Sequence, residues 1–297
     1  MSVPERKLSA RSLELLNASD EERLAHMDKP VFIPYKHASE ILAEMEDLLV
    51  HPKTNRMPNM LIVGRSDNGK TEILREFLKR HPAEDRREFD TVYAPVVYIQ
   101  SPPGPSEHIF LNQLLMMLGA PVRQNDSSDR KLLQLLDILP KIQTKILMVD
   151  ELNALLAGSI TKQRFFLNML KYLSNELKIS IVAAGTIEAE HAVRSDPQIL
   201  SRFPMRSLPR WQEDVEFKKL LYNFEFVLPL KNESVIYKGE MPGKLYGLSE
   251  GVIGEVAKIL RSSAKHAIKT KEERITMEII TACPYVTRKK NSGAEAL

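Results

Sequence analysis

Gly64-Arg65-Ser66-Asp67-Asn68-Gly69-Lys70-Thr71 decides how the rest of this 297-residue chain is read. It satisfies G-x-x-x-x-G-K-[ST] and stands between an apolar run, residues 60–63, and a helical pattern carrying Ile73, Leu74, Phe77 and Leu78. Glycines let such a loop wrap so that successive backbone N–H groups point at phosphate oxygens. The helix N-terminus that follows adds partial positive charge. In that geometry Lys70 reaches the β and γ phosphates and Thr71 offers its hydroxyl to a magnesium ion. The expected cofactors are ATP and Mg2+, with the nucleotide held by Gly64, Arg65, Ser66, Asp67, Asn68, Gly69, Lys70 and Thr71.

Three further apolar runs rich in Ile and Val, at 96–99, 146–149 and 179–184, are bounded by polar, Gly or Pro residues and read as buried parallel strands. Helical patterns such as Phe110, Leu111, Leu114, Leu115 and Leu118 lie between them. That alternation predicts an α/β fold, a P-loop parallel sheet sandwiched by helices. Residues 8–27 and 36–50 read as helices ahead of it. Beyond Trp211 helical patterns dominate, at 215–227, 252–268 and 275–282, which predicts a small C-terminal helical lid domain. The expected organisation is an N-terminal helical extension over 1–58 leading into the ATPase domain, the P-loop core over 59–210, the lid over 211–287 and a mobile polar tail over 288–297.

The second part of the chemistry comes from Lys145-Ile146-Leu147-Met148-Val149-Asp150-Glu151, an apolar strand ending in adjacent acids in the manner of a Walker B segment. Side chains alternate along a strand, so the acids separate at its tip. Asp150 is assigned to the magnesium shell, Glu151 to polarising the attacking water. Thr186 follows the run at 179–184, where a polar side chain can touch the γ-phosphate. It is a candidate sensor, with helix N-cap as the competing reading.

Bulk properties exclude more than they select. With 43% hydrophobic and 27% charged residues the chain has a globular composition, and no run of about 18 apolar residues predicts a membrane span. The N-terminus lacks a secretory pattern, and Cys283, the only cysteine, excludes an intrachain disulfide or a cysteine-built metal site. A reducing bacterial cytoplasm is the expected location. The net charge of +3 permits DNA binding without arguing for it, and the seven histidines show no metal-ligand spacing.

Beyond these motifs the sequence resembles the TniB-type transposition ATPases, TnsC-like members of the AAA+ class. The likeness runs through Pro30-Val31-Phe32-Ile33-Pro34-Tyr35, Arg56-Met57-Pro58-Asn59-Met60-Leu61, the P-loop, the Walker B strand with LLAGS after it, GTIEA, LSRF, LPRW, Leu228-Pro229-Leu230 and SEGVIGEVAKILRSSAKHAI. The resemblance implies an ATP-dependent regulator that assembles with copies of itself on double-stranded DNA as a ring or helical filament. It implies as partners a DDE-type transposase and a target-selector protein of the TniQ/TnsD kind. It also implies that Arg202, in Leu200-Ser201-Arg202-Phe203, acts on the γ-phosphate of a neighbouring subunit, where a cation neutralises developing charge. Phe32, Ile33 and Tyr35 resemble the segment that lines the adenine pocket, with packing of an N-terminal strand as the alternative.

Two departures stand out. Relatives commonly carry His-Asn after the Walker B acids, where this chain has Leu152-Asn153-Ala154. A sensor arginine early in the lid helix is replaced by Gly251-Val252-Ile253-Gly254-Glu255. DNA phosphates need only a few cations per subunit if symmetry repeats them. The candidates are Arg123, Arg130 and Lys131 between two expected helices, and Lys162 and Arg164 after Walker B. Competing readings are a helicase loader or replication initiator, and a nucleotide-gated DNA-binding assembly module with little hydrolysis.

Overall fold

The computed structural model describes residues 7–86, 91–123, 125–194 and 200–294. Two compact units divide the chain, one of residues 37–209 and one joining residues 1–36 to 210–297.

The first unit is built on a five-stranded parallel sheet in the order β4-β5-β6-β1-β7. Its strands are β1 (Met60–Gly64), β4 (Val96–Gln100), β5 (Ile146–Asp150), β6 (Ser180–Gly185) and β7 (Met205–Leu208). Every residue of β1, β5 and β6 is buried, so these strands are covered on both faces, as their unbroken apolar runs require. Around them lie α3 (Lys36–Val50), α4 (Lys70–Arg80), α5 (Glu107–Met117), α6 (Ser128–Lys141), α7 (Ile160–Leu177) and α8 (Ile187–Arg194). One core fills the space against α5, α6 and α7. In it the wholly buried rings of Phe110 and Phe166 meet edge to face at 5.2 Å, and truncation of either to alanine costs about 3–5 kcal/mol.

Among the strands of this unit, two features escaped the sequence reading. β7 is a short edge strand, MRSL, whose Arg and Ser break any apolar run. The antiparallel pair of β2 (Glu84–Arg86) and β3 (Thr91–Tyr93) has little apolar content, with Arg86 stacked over Tyr93 at 4.1 Å.

The second unit begins with α1 (Ala10–Leu15) and α2 (Asp20–Met27), where the sequence suggested one helix over 8–27. Ser19 ends that continuity, because its hydroxyl caps α2 and Glu22 bonds back to its backbone in a reciprocal capping box. Helices Val215–Val227, Met241–Ser249, Ile253–Lys269, Met277–Ala282 and Pro284–Ala294 follow Trp211. Residues up to Lys36, expected to lead into the P-loop unit, pack here instead. Met27 and Ile33 join Phe217, Leu221, Val256 and Leu260 in the second core. Arg23, wholly buried, bonds Glu273 at 2.5 and 2.9 Å, Asp20 at 3.2 Å and the Pro229 carbonyl at 2.7 and 3.0 Å. A buried guanidinium satisfied this fully is strongly destabilising to break, by about 3–5 kcal/mol. Gly251 has φ +71°, and a Cβ there would meet the Trp211 carbonyl oxygen at 2.3 Å, so the turn before the long helix requires glycine.

The tail expected to be mobile from residue 288 is helical through Ala294, and residues 295–297 lie outside the described residues. An anchor explains the order: Lys289 and Tyr285 bond Glu255 at 3.0 and 2.9 Å, joined by Lys258 at 3.1 Å. No described helix is long and apolar enough to cross a membrane.

The Glu255 cluster sets a pH dependence. Burial pushes the carboxyl up, but hydrogen bonds from Lys289, Lys258 and Tyr285 outweigh it and hold the group at about 2, below its ordinary 4.5. The folded value is depressed, so the stabilisation is complete above pH 4.5 and lost as pH falls towards 2. Glu255→Gln should lower the thermal midpoint at pH 7, and the gap from wild type should close progressively below pH 4.5. A gap that stays constant down to pH 3 would show that the carboxylate charge contributes nothing.

Candidate active site

The carboxyl ends of β1, β5 and β6 lie side by side, because β6 is inserted between β1 and β5. Ligands in open α/β sheets sit at that edge. β1 ends in the loop 64–71, whose turn is made by left-handed backbone at Asp67 (φ 58°) and Gly69 (φ 85°) before α4 begins at Lys70. Arg65, Ser66 and Asp67 are exposed. Asn68 is buried, and its amide donates to the carbonyls of Leu208 at 2.6 Å and Pro209 at 3.1 Å, fastening the loop to the end of β7.

Lys70 is buried and folds back over the loop, donating to the carbonyls of Gly64 and Arg65 at 2.7 Å each. Burial pushes its ammonium below the ordinary lysine value, against the pull of Asp150, Asp67, Glu151 and Glu188. A cation withdrawn from solvent and bonded to neutral carbonyls is suited to a polyanion.

Asp150, at the tip of β5, is buried. Its Oδ2 accepts from the Thr71 hydroxyl at 2.8 Å and from the Tyr98 hydroxyl at 3.0 Å, and its Oδ1 accepts from the backbone N–H of Glu151 at 2.8 Å. Burial, and then the adjoining Asp150 charge, pushes the Tyr98 phenol well above its usual value, so it stays a donor. Thr71 and Asp150 thus bring a hydroxyl and a carboxylate together. These hard oxygens fit Mg2+, which takes few protein ligands and completes its shell with water and phosphate. Among the described residues no group of three or more His, Cys, Asp or Glu offers a fuller metal site.

Glu151 is exposed and left-handed, φ 53° and ψ 45°, a conformation that a non-glycine residue adopts only when its surroundings impose it. The turn aims its carboxylate at Gln100, whose amide donates to Oε2 at 2.8 Å. Gln100 and Tyr98 were not singled out from the sequence. Both lie on β4, and the register Gln100↔Asp150 is what sets them beside the acids. A polar residue closing an apolar strand is the signal that was there, but it points nowhere until the neighbouring strand is known.

Thr186 follows β6 and is half-buried. Glu188, in the first turn of α8, is held below its ordinary value chiefly by Thr186 beside it. Gly185 before Thr186 is obligatory, since a Cβ there would stand 2.6 Å from that of Ala189. Asn153 is half-buried in the 3-10 turn Leu152–Ala157.

The remaining expected site residues stand on other elements. Arg202 precedes β7, and the Leu61 N–H bonds the Pro204 carbonyl, which places Arg202 at the amino edge of the sheet, opposite the P-loop. Strand rise of about 3.3 Å per residue separates those edges by roughly 13 Å. Its guanidinium donates to Asn175 at 3.0 Å. Phe32 and Tyr35 belong to the second unit and lie in irregular backbone ahead of α3, with no strand there. Tyr35 packs edge-on to Trp211 at 5.1 Å, and burial pushes its phenol up to about 12. Arg123, Arg130, Lys162 and Arg164 are exposed, Arg130 pairing with Asp126. Lys131 does not meet the expectation of a DNA contact. It is 1% exposed, turned inward from α6 against the His108 ring at 3.1 Å, and cannot meet a duplex from there.

The loop after β1, the acid pair after β5 and the flanking helices define a P-loop ATPase fold of the AAA+ class. ORC1 of Aeropyrum pernix, solved in complex with DNA, aligns with a TM-score of 0.62 at 16% identity, over 89% of this chain and 68% of that one. ORC2 of the same organism, solved in ADPNP and ADP complexes, gives 0.61 at 17% identity over 87% and 70%. Cdc6p of Pyrobaculum aerophilum gives 0.61 at 17% identity over 86% and 68%. No curated protein sequence matches the chain. Residues 23–213 match the family model described as bacterial TniB protein, and the chain belongs to that family.

The Gln100–Glu151 contact gives a direct test. Gln100→Glu sets two carboxylates against each other, so one must hold its proton to higher pH. The acid limb of the ATP-turnover profile should move up by about one pH unit. A superimposable profile would mean that the two side chains do not meet in the working enzyme.

Proposed function

We propose that this chain is an ATP-dependent regulator of DNA transposition that binds MgATP, assembles in copies on double-stranded DNA and links a target selector of the TniQ/TnsD kind to a DDE-type transposase. The observation that carries it is the meeting of Lys70, Thr71, Asp150 and Glu151 at one edge of the sheet in a chain of the TniB family. The DNA-bound state of ORC1, a protein of similar fold, supports a DNA partner.

Each residue has a role that its chemistry suits. The backbone N–H groups of 64–71 and Lys70 bind the phosphates, Lys70 exchanging the carbonyls of Gly64 and Arg65 for phosphate oxygens. Thr71 and Asp150 would hold Mg2+, which would supply positive charge to offset that of the phosphates. Glu151, oriented by Gln100, aligns a water and takes its proton. Phe32 and Tyr35 offer aromatic surface suited to an adenine base. Thr186, at the end of β6, is the proposed sensor of the γ-phosphate. Arg202 is too far along the strands to serve its own nucleotide, which supports its action in a neighbouring copy, as a ring or filament would allow. Arg123, Arg130, Lys162 and Arg164 are the proposed DNA contacts.

Lys70→Ala should weaken ATP binding roughly a hundredfold, since charge-assisted hydrogen bonds to phosphate are worth about 1.5–3 kcal/mol each. Wild-type affinity in a nucleotide titration would remove the P-loop assignment. Glu151→Gln should keep that affinity, slow turnover by roughly 10²–10⁴ and leave long-lived assemblies on duplex DNA in electron micrographs. Undiminished turnover would place the base elsewhere.

A further inference from the structure

The amino edge of the sheet carries a concentration of positive charge that the P-loop chemistry does not use. Arg56 precedes β1 and Arg202 precedes β7, and the two approaches run together where Leu61 bonds Pro204. The Arg56 guanidinium donates to the Ser201 hydroxyl at 3.2 Å, beside Arg202, whose own guanidinium donates to the Asn175 amide oxygen at 3.0 Å. Both anchors are neutral, and among the described residues no carboxylate forms a salt bridge with either arginine. Burial, and then the Arg56 charge, pushes Arg202 below its ordinary value, so the pair repel one another. The surface beneath them is rigid: the buried Asn59 side chain accepts from the Ile181 N–H at 2.8 Å and the Ser174 hydroxyl at 3.1 Å. Two guanidinium forks held side by side against their mutual repulsion suit an anion with several oxygens.

The chain's own nucleotide belongs to the opposite edge, so the anion must come from outside. The neighbouring face of α7 favours a protein as its carrier. Phe165 is 63% exposed and Tyr172, two turns later, 44% exposed, on the stripe that continues to Asn175. Exposed aromatics in line on one helix mark a protein contact surface more than a duplex-tracking one.

We infer that Arg56 and Arg202 form a two-guanidinium site that closes on the terminal phosphate of ATP held by a second copy of this chain. The inference rests on the reading that copies assemble with Arg202 facing a neighbour's nucleotide, and adds Arg56 as a second cation. As the water oxygen bonds to the γ-phosphorus, the bond to the β–γ bridging oxygen breaks and ADP leaves with that electron pair. The water's proton passes to Glu151 of the copy that holds the nucleotide. The two forks share the charge on the γ oxygens throughout. Lysine at 56 would keep the charge and lose the fork.

The test uses the full chain with ATP and duplex DNA, reading turnover, ATP-dependent assembly by light scattering, and duplex affinity. Arg56→Ala should lower kcat roughly tenfold to hundredfold and weaken ATP-dependent assembly, and Arg56→Lys should recover part of both. Mixing Arg56→Ala with Lys70→Ala should raise turnover above that of either alone, because an intact Arg56 then reaches a competent nucleotide. If Arg202→Ala lowers turnover while Arg56→Ala matches wild type in turnover and assembly, the second cation is refuted and the reading of Arg202 survives. If both variants match wild type, that reading itself fails. Loss of duplex affinity with turnover and assembly intact would assign Arg56 to DNA and overturn the inference, as would mixed assemblies that form without any gain in turnover.

Discussion

The hydrogen bond from Thr71 to Asp150, 2.8 Å long, joins the first turn of α4 to the tip of β5 across an intervening strand. No local stretch of sequence could make it. It exists because β6 separates β1 from β5 by one strand and brings all three tips to the same level. Asp150 is then held on both oxygens, by Thr71, Tyr98 and the Glu151 amide, and the last of these sets the left-handed turn at Glu151. Charge-assisted bonds to a buried carboxylate outweigh the ~1–3 kcal/mol that such a backbone conformation stores. Strain at Glu151, the proposed base, is therefore sustained by Asp150, the same residue that bonds Thr71.

What could be read in advance follows from the range of each interaction. The P-loop and the acid pair are contiguous, so their residue types and flanking periodicities were enough to place them on a strand tip and a helix start. Gln100 and Tyr98 depend on strand order, which no periodicity encodes. Lys131 looked like a surface cation because it follows Arg130 in a polar stretch, yet helical geometry turns adjacent residues through 100°, and this one points inward at His108. Helix Met241–Ser249 carries Pro242, Gly243 and Gly247, which hide it from propensity; packing of Leu245 and Ser249 overrides them.

The two edges of the sheet divide the chemistry. The P-loop and the acid pair gather where the strands end, and Arg56 and Arg202 lie where they begin. A sheet whose central strands β1, β5 and β6 are fully buried keeps these sets apart, because strand length cannot be shortened without losing ladder bonds and core. A copy of the protein with both sets intact is still an incomplete catalyst if the arginine edge serves a neighbour, so turnover becomes a report on assembly.

The buried guanidinium of Arg23 bears on how the molecule is made. Its partners at 229 and 273 lie more than two hundred positions further along the polypeptide. During vectorial synthesis the first helices leave the ribosome without the surface they need, while residues 37–209 can condense as a unit behind them. Docking of the earliest residues is thus among the last events of folding, and a nascent chain stalled before residue 273 would carry a finished sheet with its opening helices still undocked.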